Sequence, residues 1–180
     1  ALPISPHLNR LKREGIWFSN FYANSFRTDR GLVAILQGYP SPATISLMKN
    51  PRLTPSLPSL SCELADNGYD LRYYYGGDAD FTNMRSFLVN QGFDNITEDV
   101  DFPVADRLSK WGVPDHLVFK RVEADLAHDR GHRPMFTVIQ TSSSHEPFDV
   151  PYHRLGNKVL KAFAYTDSCV GGFVDWLKRS

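Results

Sequence analysis

Thr28 stands between two arginines in FRTDRG (26–31), where an apolar pattern of Leu32, Ile35 and Leu36 at helical spacing begins and Gly38 stops it. A threonine at a helix start is a favoured N-cap, its hydroxyl accepting from an orphan backbone N–H. The same hydroxyl, beside the partial positive charge of the helix N-terminus, is also placed to act as a nucleophile once a metal or base activates it. Both readings stay open on the residues alone. Two further groups have chemical potential. Arg85 in FTNMRSFLVNQG (81–92) can clamp a phosphate through its planar fork, or pair with Asp80 or Asp78 as a surface charge. His145 in TSSSHEPFDVP (141–151) is set among small polar residues, where it can donate to an anionic oxygen or stand as a solvated bystander.

Elements of alternating type must carry these groups. IWFSNFYA (16–23), YDLRYYY (69–75) and MFTVIQT (135–141) read as strands, the last as a buried one and the Tyr73–Tyr75 run as sheet core. Helical patterns follow or precede them at Thr28–Gln37, in SLPSLSCELADNG closing at Gly68, in the segment stopped at Gly92, in PDHLVFKRVEADLAHD (114–129), and in KVLKAFAYTDSCVGGFVDWLKR (158–179). Alternation of this kind predicts an α/β fold, a mostly parallel sheet with helices on both faces. Ligands in such folds sit beyond the carboxyl ends of the strands. The loops that leave those ends carry Thr28, Arg85 and His145, so the three are expected at one edge. The proline-rich stretch 39–59 is a long irregular connection.

Composition narrows the class. With 180 residues and 42% hydrophobic content the chain suits a single domain, 1–180, and twenty basic residues balance twenty acidic ones, so nothing points to nucleic acid. No apolar run reaches the roughly 20 residues of a membrane span, and no signal-peptide pattern opens the chain. Cys62 and Cys169 lack CxxC spacing, which argues against zinc and leaves a disulfide unsupported. Asp115 and His116 are adjacent after Pro114, and without companion ligands Asp115 reads as a helix-start acid rather than a metal ligand. His7, His128, His132 and His153 have no paired spacing and receive no role. The absent initiator methionine and the helix running into the final residues lead us to expect a piece of something longer, truncated at both ends.

Four blocks, SPHLNRLKREGIWFSNFYANSFRTDRGLVAILQGYPS, YYYGGDADFTNMRSFLVNQGFD, WGVPDHLVFKRVEADL and TSSSHEPFDVP, together resemble the sulfatase-like domain of the lipoteichoic acid synthase and phosphoglycerol transferase family, in the alkaline phosphatase superfamily. The resemblance runs from about Pro6 to Lys178. It implies that Thr28 is both nucleophile and metal ligand, and that Arg85 and His145 bind substrate. It implies a divalent ion, Mn2+ or Mg2+, in the complete protein, with the remaining ligands outside this chain and none bound by the fragment alone. It further implies transfer of a phosphoglycerol-type head group from an anionic phospholipid to a glycan or lipid acceptor through a phospho-threonine. Upstream membrane helices would hold the domain on the outer face of the cytoplasmic membrane. Thr82 and Asn83 occupy the place of an aromatic residue that often precedes the substrate arginine in lipoteichoic acid synthases, and the Cys-x-Pro-x-Arg motif of true sulfatases is absent. The alternatives are a sulfatase or phosphodiesterase of the same superfamily, or a non-catalytic domain that binds a head group or glycan.

Overall fold

The computed structural model describes residues 4–153 and 155–180. In chain order its elements are α1 (Pro6–Glu14), α2 (Thr28–Gln37), α3 (Leu60–Asp66), β1 (Asp70–Tyr75), α4 (Met84–Asn90), β2 (Asn95–Thr97), α5 (Asp115–His128), β3 (Met135–Gln140) and α6 (Lys158–Leu177). The sheet has order β2-β1-β3, and both pairings are parallel, with Tyr73 opposite Ile96 on one side and Val138 on the other.

Alternation along β1 divides the core in two. Leu71, Tyr73 and Tyr75 face one cluster with Leu32 and Leu36 of α2 and Phe87 and Leu88 of α4. Tyr74 faces the other, with Val118 and Val122 of α5 and Phe173 of α6 packed against it. The chain moves from β1 to β2 in one direction and from β2 back across β1 to β3 in the other. Right-handed crossovers therefore put α4 and α5 on opposite faces. All three tyrosines of the run are core residues, as expected, and burial raises the Tyr73 and Tyr75 phenols above their usual range.

Two expectations about strands are corrected. Residues 16–23 form a turn and irregular chain rather than a strand, with Ile16 89% and Phe21 81% exposed, and among the described residues no neighbouring strand accepts their ladder bonds. β3 is not fully buried: Met135 is exposed and the rest of the strand is half-buried, since one edge of β3 is open. The short strand β2 was not expected at all.

α1 is fastened to α6. The buried Asp167 carboxylate accepts the His7 and Leu8 backbone N–H groups at 3.0 and 2.8 Å, and Arg10 pairs with Asp175 at 2.7 Å. This satisfies orphan donors at the start of α1, a helix with no buried residue of its own. The thiols of Cys62 and Cys169 are free, and burial pushes the Cys169 thiol up to about 12.

At the carboxyl end of β1 two loops interlock through glycines. Val113 donates its N–H to the Gly76 carbonyl at 2.7 Å, a Cβ on Gly76 would lie 2.2 Å from the Val113 oxygen, and one on Gly112 (φ +94°) would lie 2.1 Å from the Gly76 oxygen. Neither contact is with a flexible side chain. Gly76→Ala is expected to destabilise the chain by about 2–4 kcal/mol through forced backbone displacement, read as a lowered urea midpoint at unchanged slope.

Candidate active site

α2 spans Thr28–Gln37, the bounds the sequence pattern suggests, but its cap is not Thr28. Arg27, with extended backbone (φ −116°, ψ 137°), occupies the N-cap, and Thr28 is the first helical residue. The Thr28 hydroxyl therefore makes no capping bond, and the side chain is exposed. The capping role expected for Thr28 is thereby corrected: N1 geometry turns its hydroxyl outward instead of back onto the N2 and N3 amides. Asp29 follows, 3% exposed, and its Oδ1 accepts from Arg27 Nε at 3.1 Å. Burial works against its charge, yet the nearby Ser46 hydroxyl, Arg27 and Lys49 outweigh it and hold the carboxyl below the usual range. Neither Asp29 Oδ2 nor Ser46 Oγ completes a hydrogen bond within normal limits. A carboxylate held below its usual range is a poor general base for an alcohol.

The loop after β1 brings the second wall. Thr82 (φ 60°, ψ 26°) and Asn83 (φ 63°, ψ 24°) are consecutive left-handed residues without glycine, a conformation that costs a β-branched side chain on the order of 1–2 kcal/mol. The double turn sends Met84 inward, 3% exposed, and leaves Arg85 on the outer side of α4. Arg85 Nε donates to Asp80 Oδ1 at 2.8 Å, and its Nη2 is paired with Glu98, whose other oxygen accepts from the Ala79 N–H at 2.9 Å. Arg85 thus fastens the loop it follows. It begins at the expected sheet edge but is not among the residues that line the cavity described below.

The loop after β3 brings the third wall. Gln140, whose side-chain oxygen accepts from the Tyr73 hydroxyl, leads into Thr141, Ser142, Ser144 and His145. Asp115, the first residue of α5 and 1% exposed, holds this loop from beneath: its Oδ1 accepts from the Ser142 and Ser143 N–H groups at 2.8 and 3.1 Å, and its Oδ2 from the Thr166 hydroxyl at 2.8 Å. The helix-start acid is therefore also a brace for the strand-end loop. His116 turns away to the Tyr165 hydroxyl, and burial lowers its pKa.

These walls enclose a cavity of about 430 Å³ beyond the carboxyl ends of β1 and β3, lined by Thr28 and His145 along with Arg27, Tyr75, Trp111 and Ser142. Thr28 and His145 do share this cavity, although for Thr28 the edge rule reached it from a strand, 16–23, that does not form. Sequence reasoning missed Trp111 and Phe81, whose rings lie 6.0 Å apart, with His145 4.3 Å beyond Trp111. Trp111 donates its indole N–H to the Glu146 carbonyl, so the aromatic wall and the histidine loop are tied together. Trp111 beside Gly112 in WGVPD was the available signal, since a glycine there marks close backbone approach.

Among the described residues no three His, Cys, Asp or Glu side chains converge as a metal site. Thr28 can supply one ligand of such a site but does not make a ligand set by itself. Among the described residues, no helix is long and apolar enough to cross a membrane.

Comparison with known proteins accords with this geometry. The model of the family described as Sulfatase matches residues 1–180. Phosphoglycerol transferase I of Xanthomonas campestris pv. campestris (strain B100) is 28% identical over 98% of this chain, which spans 28% of that protein's length. A protein in the alkaline phosphatase superfamily from Vibrio parahaemolyticus superposes with a TM-score of 0.89 at 29% identity, over 100% of this chain and 46% of that one. The lipoteichoic acid synthase LtaP from Listeria monocytogenes shares the fold, with a TM-score of 0.84 at 19% identity, over 98% of this chain and 46% of that one. A parallel sheet wound on both faces, a cavity at its carboxyl edge and a family match along the whole sequence lead to one conclusion: the chain belongs to the sulfatase family, in the alkaline phosphatase superfamily.

Proposed function

We propose that the complete polypeptide moves a phosphoglycerol-type head group from an anionic phospholipid to a glycan or lipid acceptor, with Thr28 as the nucleophile. The observation that carries this reading is that Thr28 and His145 line one cavity. Phosphoglycerol transferases among the relatives favour this substrate class. In the first half-reaction Thr28 Oγ1 attacks phosphorus, a new O–P bond forms, and the bond from phosphorus to the lipid oxygen breaks, the hydroxyl proton passing to solvent and the lipid alkoxide taking one up. In the second, an acceptor hydroxyl attacks the glycerophosphoryl-threonine: the acceptor O–P bond forms as the bond from phosphorus to Thr28 Oγ1 breaks, the acceptor hydroxyl gives its proton to solvent and Thr28 Oγ1 takes one up.

His145 holds the anionic head group, and the aromatic wall of Phe81 and Trp111 shields one side of it from water. Arg85 serves by fastening the loop that carries Thr82 and Met84 into the cavity. A bound Mn2+ or Mg2+ would supply a lowered alcohol pKa and polarise the phosphoryl oxygen, with Thr28 as one ligand and the others drawn from the rest of the polypeptide. Anchorage on the outer face of the cytoplasmic membrane belongs to the same proposal.

Incubation of the complete polypeptide with a head-group-labelled phospholipid, with and without a glycan acceptor, tests it. Label should move to the acceptor, and its release should depend on acceptor concentration. Release to water at the same rate without acceptor would make the protein a phosphodiesterase instead.

A further inference from the structure

We propose that Arg27, oriented by Asp29, is the guanidinium that grips the anionic group in this cavity. The proposal rests on the phosphotransferase reading for its substrate but not for its geometry. Two arginines stand near the carboxyl edge of the sheet, and their partners differ. Arg85 does not line the cavity and is held on two sides by carboxylates, Nε by Asp80 and Nη2 by Glu98, so two of its three nitrogens are engaged and its charge faces two of opposite sign. Arg27 lines the cavity beside Thr28, and only its Nε is bound, by Asp29 Oδ1 at 3.1 Å. Among the described residues both of its terminal nitrogens lack a partner. The pair is also asymmetric in exposure: the Asp29 side chain is 3% exposed and that of Arg27 44%. The carboxylate thus sits under the helix start while the guanidinium faces outward.

A guanidinium fixed through Nε presents its two NH2 groups as a fork, the geometry that receives two phosphoryl oxygens. Asp29 is a positioning residue: it touches Arg27 and need not touch the ligand. The cavity supplies neutral donors around the same space in Thr28 and Ser142. None of this depends on the order of steps in the reaction.

The test is calorimetric titration of the complete polypeptide with inorganic phosphate, each variant first checked by thermal melting. Arg27→Gln should weaken phosphate binding by roughly tenfold or more, the scale of a lost charge-assisted bidentate contact. Arg27→Lys keeps the charge without the fork and should fall between the two, which guards against a folding defect in the first variant. Asp29→Ala removes a negative charge beside the anion, so simple electrostatics predicts tighter binding, whereas loss of Arg27 orientation predicts weaker binding by several-fold. Weaker binding supports the positioning role, and tighter binding overturns it. A larger loss in Arg85→Gln than in Arg27→Gln would return the grip to Arg85, and no phosphate binding by the unaltered protein would also overturn the proposal. Should the labelled-lipid assay show no transfer while Arg27→Gln still loses phosphate, the transferase reading fails and the anion grip stands.

Discussion

Thr28→Ala in the complete polypeptide is expected to lower turnover by at least about a thousandfold, since a covalent nucleophile has no substitute among its neighbours. Arg27 is not a nucleophile, and Asp29 is 3% exposed with its Oδ1 bonded to Arg27, so neither is placed to take over attack on phosphorus. Stability should hardly change. The Thr28 side chain is exposed and makes no capping bond, and alanine is the better helix former by up to about 0.5 kcal/mol. The melting temperature of Thr28→Ala should therefore equal or slightly exceed that of the unaltered protein. Thr28→Ser, which keeps the hydroxyl, should recover a measurable part of the rate. A folded Thr28→Ala protein that transfers at an ordinary rate would remove Thr28 from the chemistry altogether.

Asp115→Ala carries the largest expected effect on stability. The substitution removes a carboxylate that is 1% exposed and strands three donors, the Ser142 and Ser143 N–H groups and the Thr166 hydroxyl. These half-buried donors lie toward the low end of the range for unsatisfied groups, about 1–2 kcal/mol each, so a loss of about 3–5 kcal/mol is expected against a total of roughly 5–15. Because the loop it braces carries His145, the damage should also be local. Asp115→Asn retains one acceptor oxygen for the two amides and should fold, while hydrogen exchange at Ser142 and Ser143 accelerates and KM for the phospholipid rises more than kcat falls. Unchanged exchange at those two amides in Asp115→Asn would show that the carboxylate charge adds nothing to the brace, and unchanged exchange in a folded Asp115→Ala protein that the loop holds its shape without Asp115.

The sheet and its flanking helices were legible because burial imposes a period. Leu71, Tyr73 and Tyr75 alternate along a central strand, and Leu32 and Leu36 recur at helical spacing. Where burial is missing, the pattern misleads. The aromatic run at 16–23 has strand propensity, but that propensity expresses fit to a half-buried pleated surface, and Trp17 and Phe18 are 56% and 69% exposed. β2 spans three residues, too few for any period to show. At the site, His145 was legible because it follows β3 to the carboxyl edge, whereas Thr28 was placed there by way of a strand at 16–23 that does not form. The helix bounds Thr28–Gln37 were read correctly, but Thr28 could not be both first helical residue and cap, and the cap falls on Arg27. The pairing of Arg85 with Asp80 was readable at five residues' separation, whereas its bond to Glu98 depends on how α4 and β2 fold together. Trp111 reaches the cavity only through the interlocked backbones at Gly76 and Gly112, a long-range contact with no local signature beyond the glycines.

Trapping the intermediate tests the central claim most directly. The complete polypeptide is mixed with a phosphoglycerol-bearing phospholipid in the absence of acceptor, quenched in acid, cut with chymotrypsin after Phe26, and mapped by mass spectrometry. The predicted result is a glycerophosphoryl adduct on Thr28 that disappears when acceptor is added before the quench. Turnover that proceeds with Thr28 unmodified, or an adduct on another residue that survives Thr28→Ala, would contradict it.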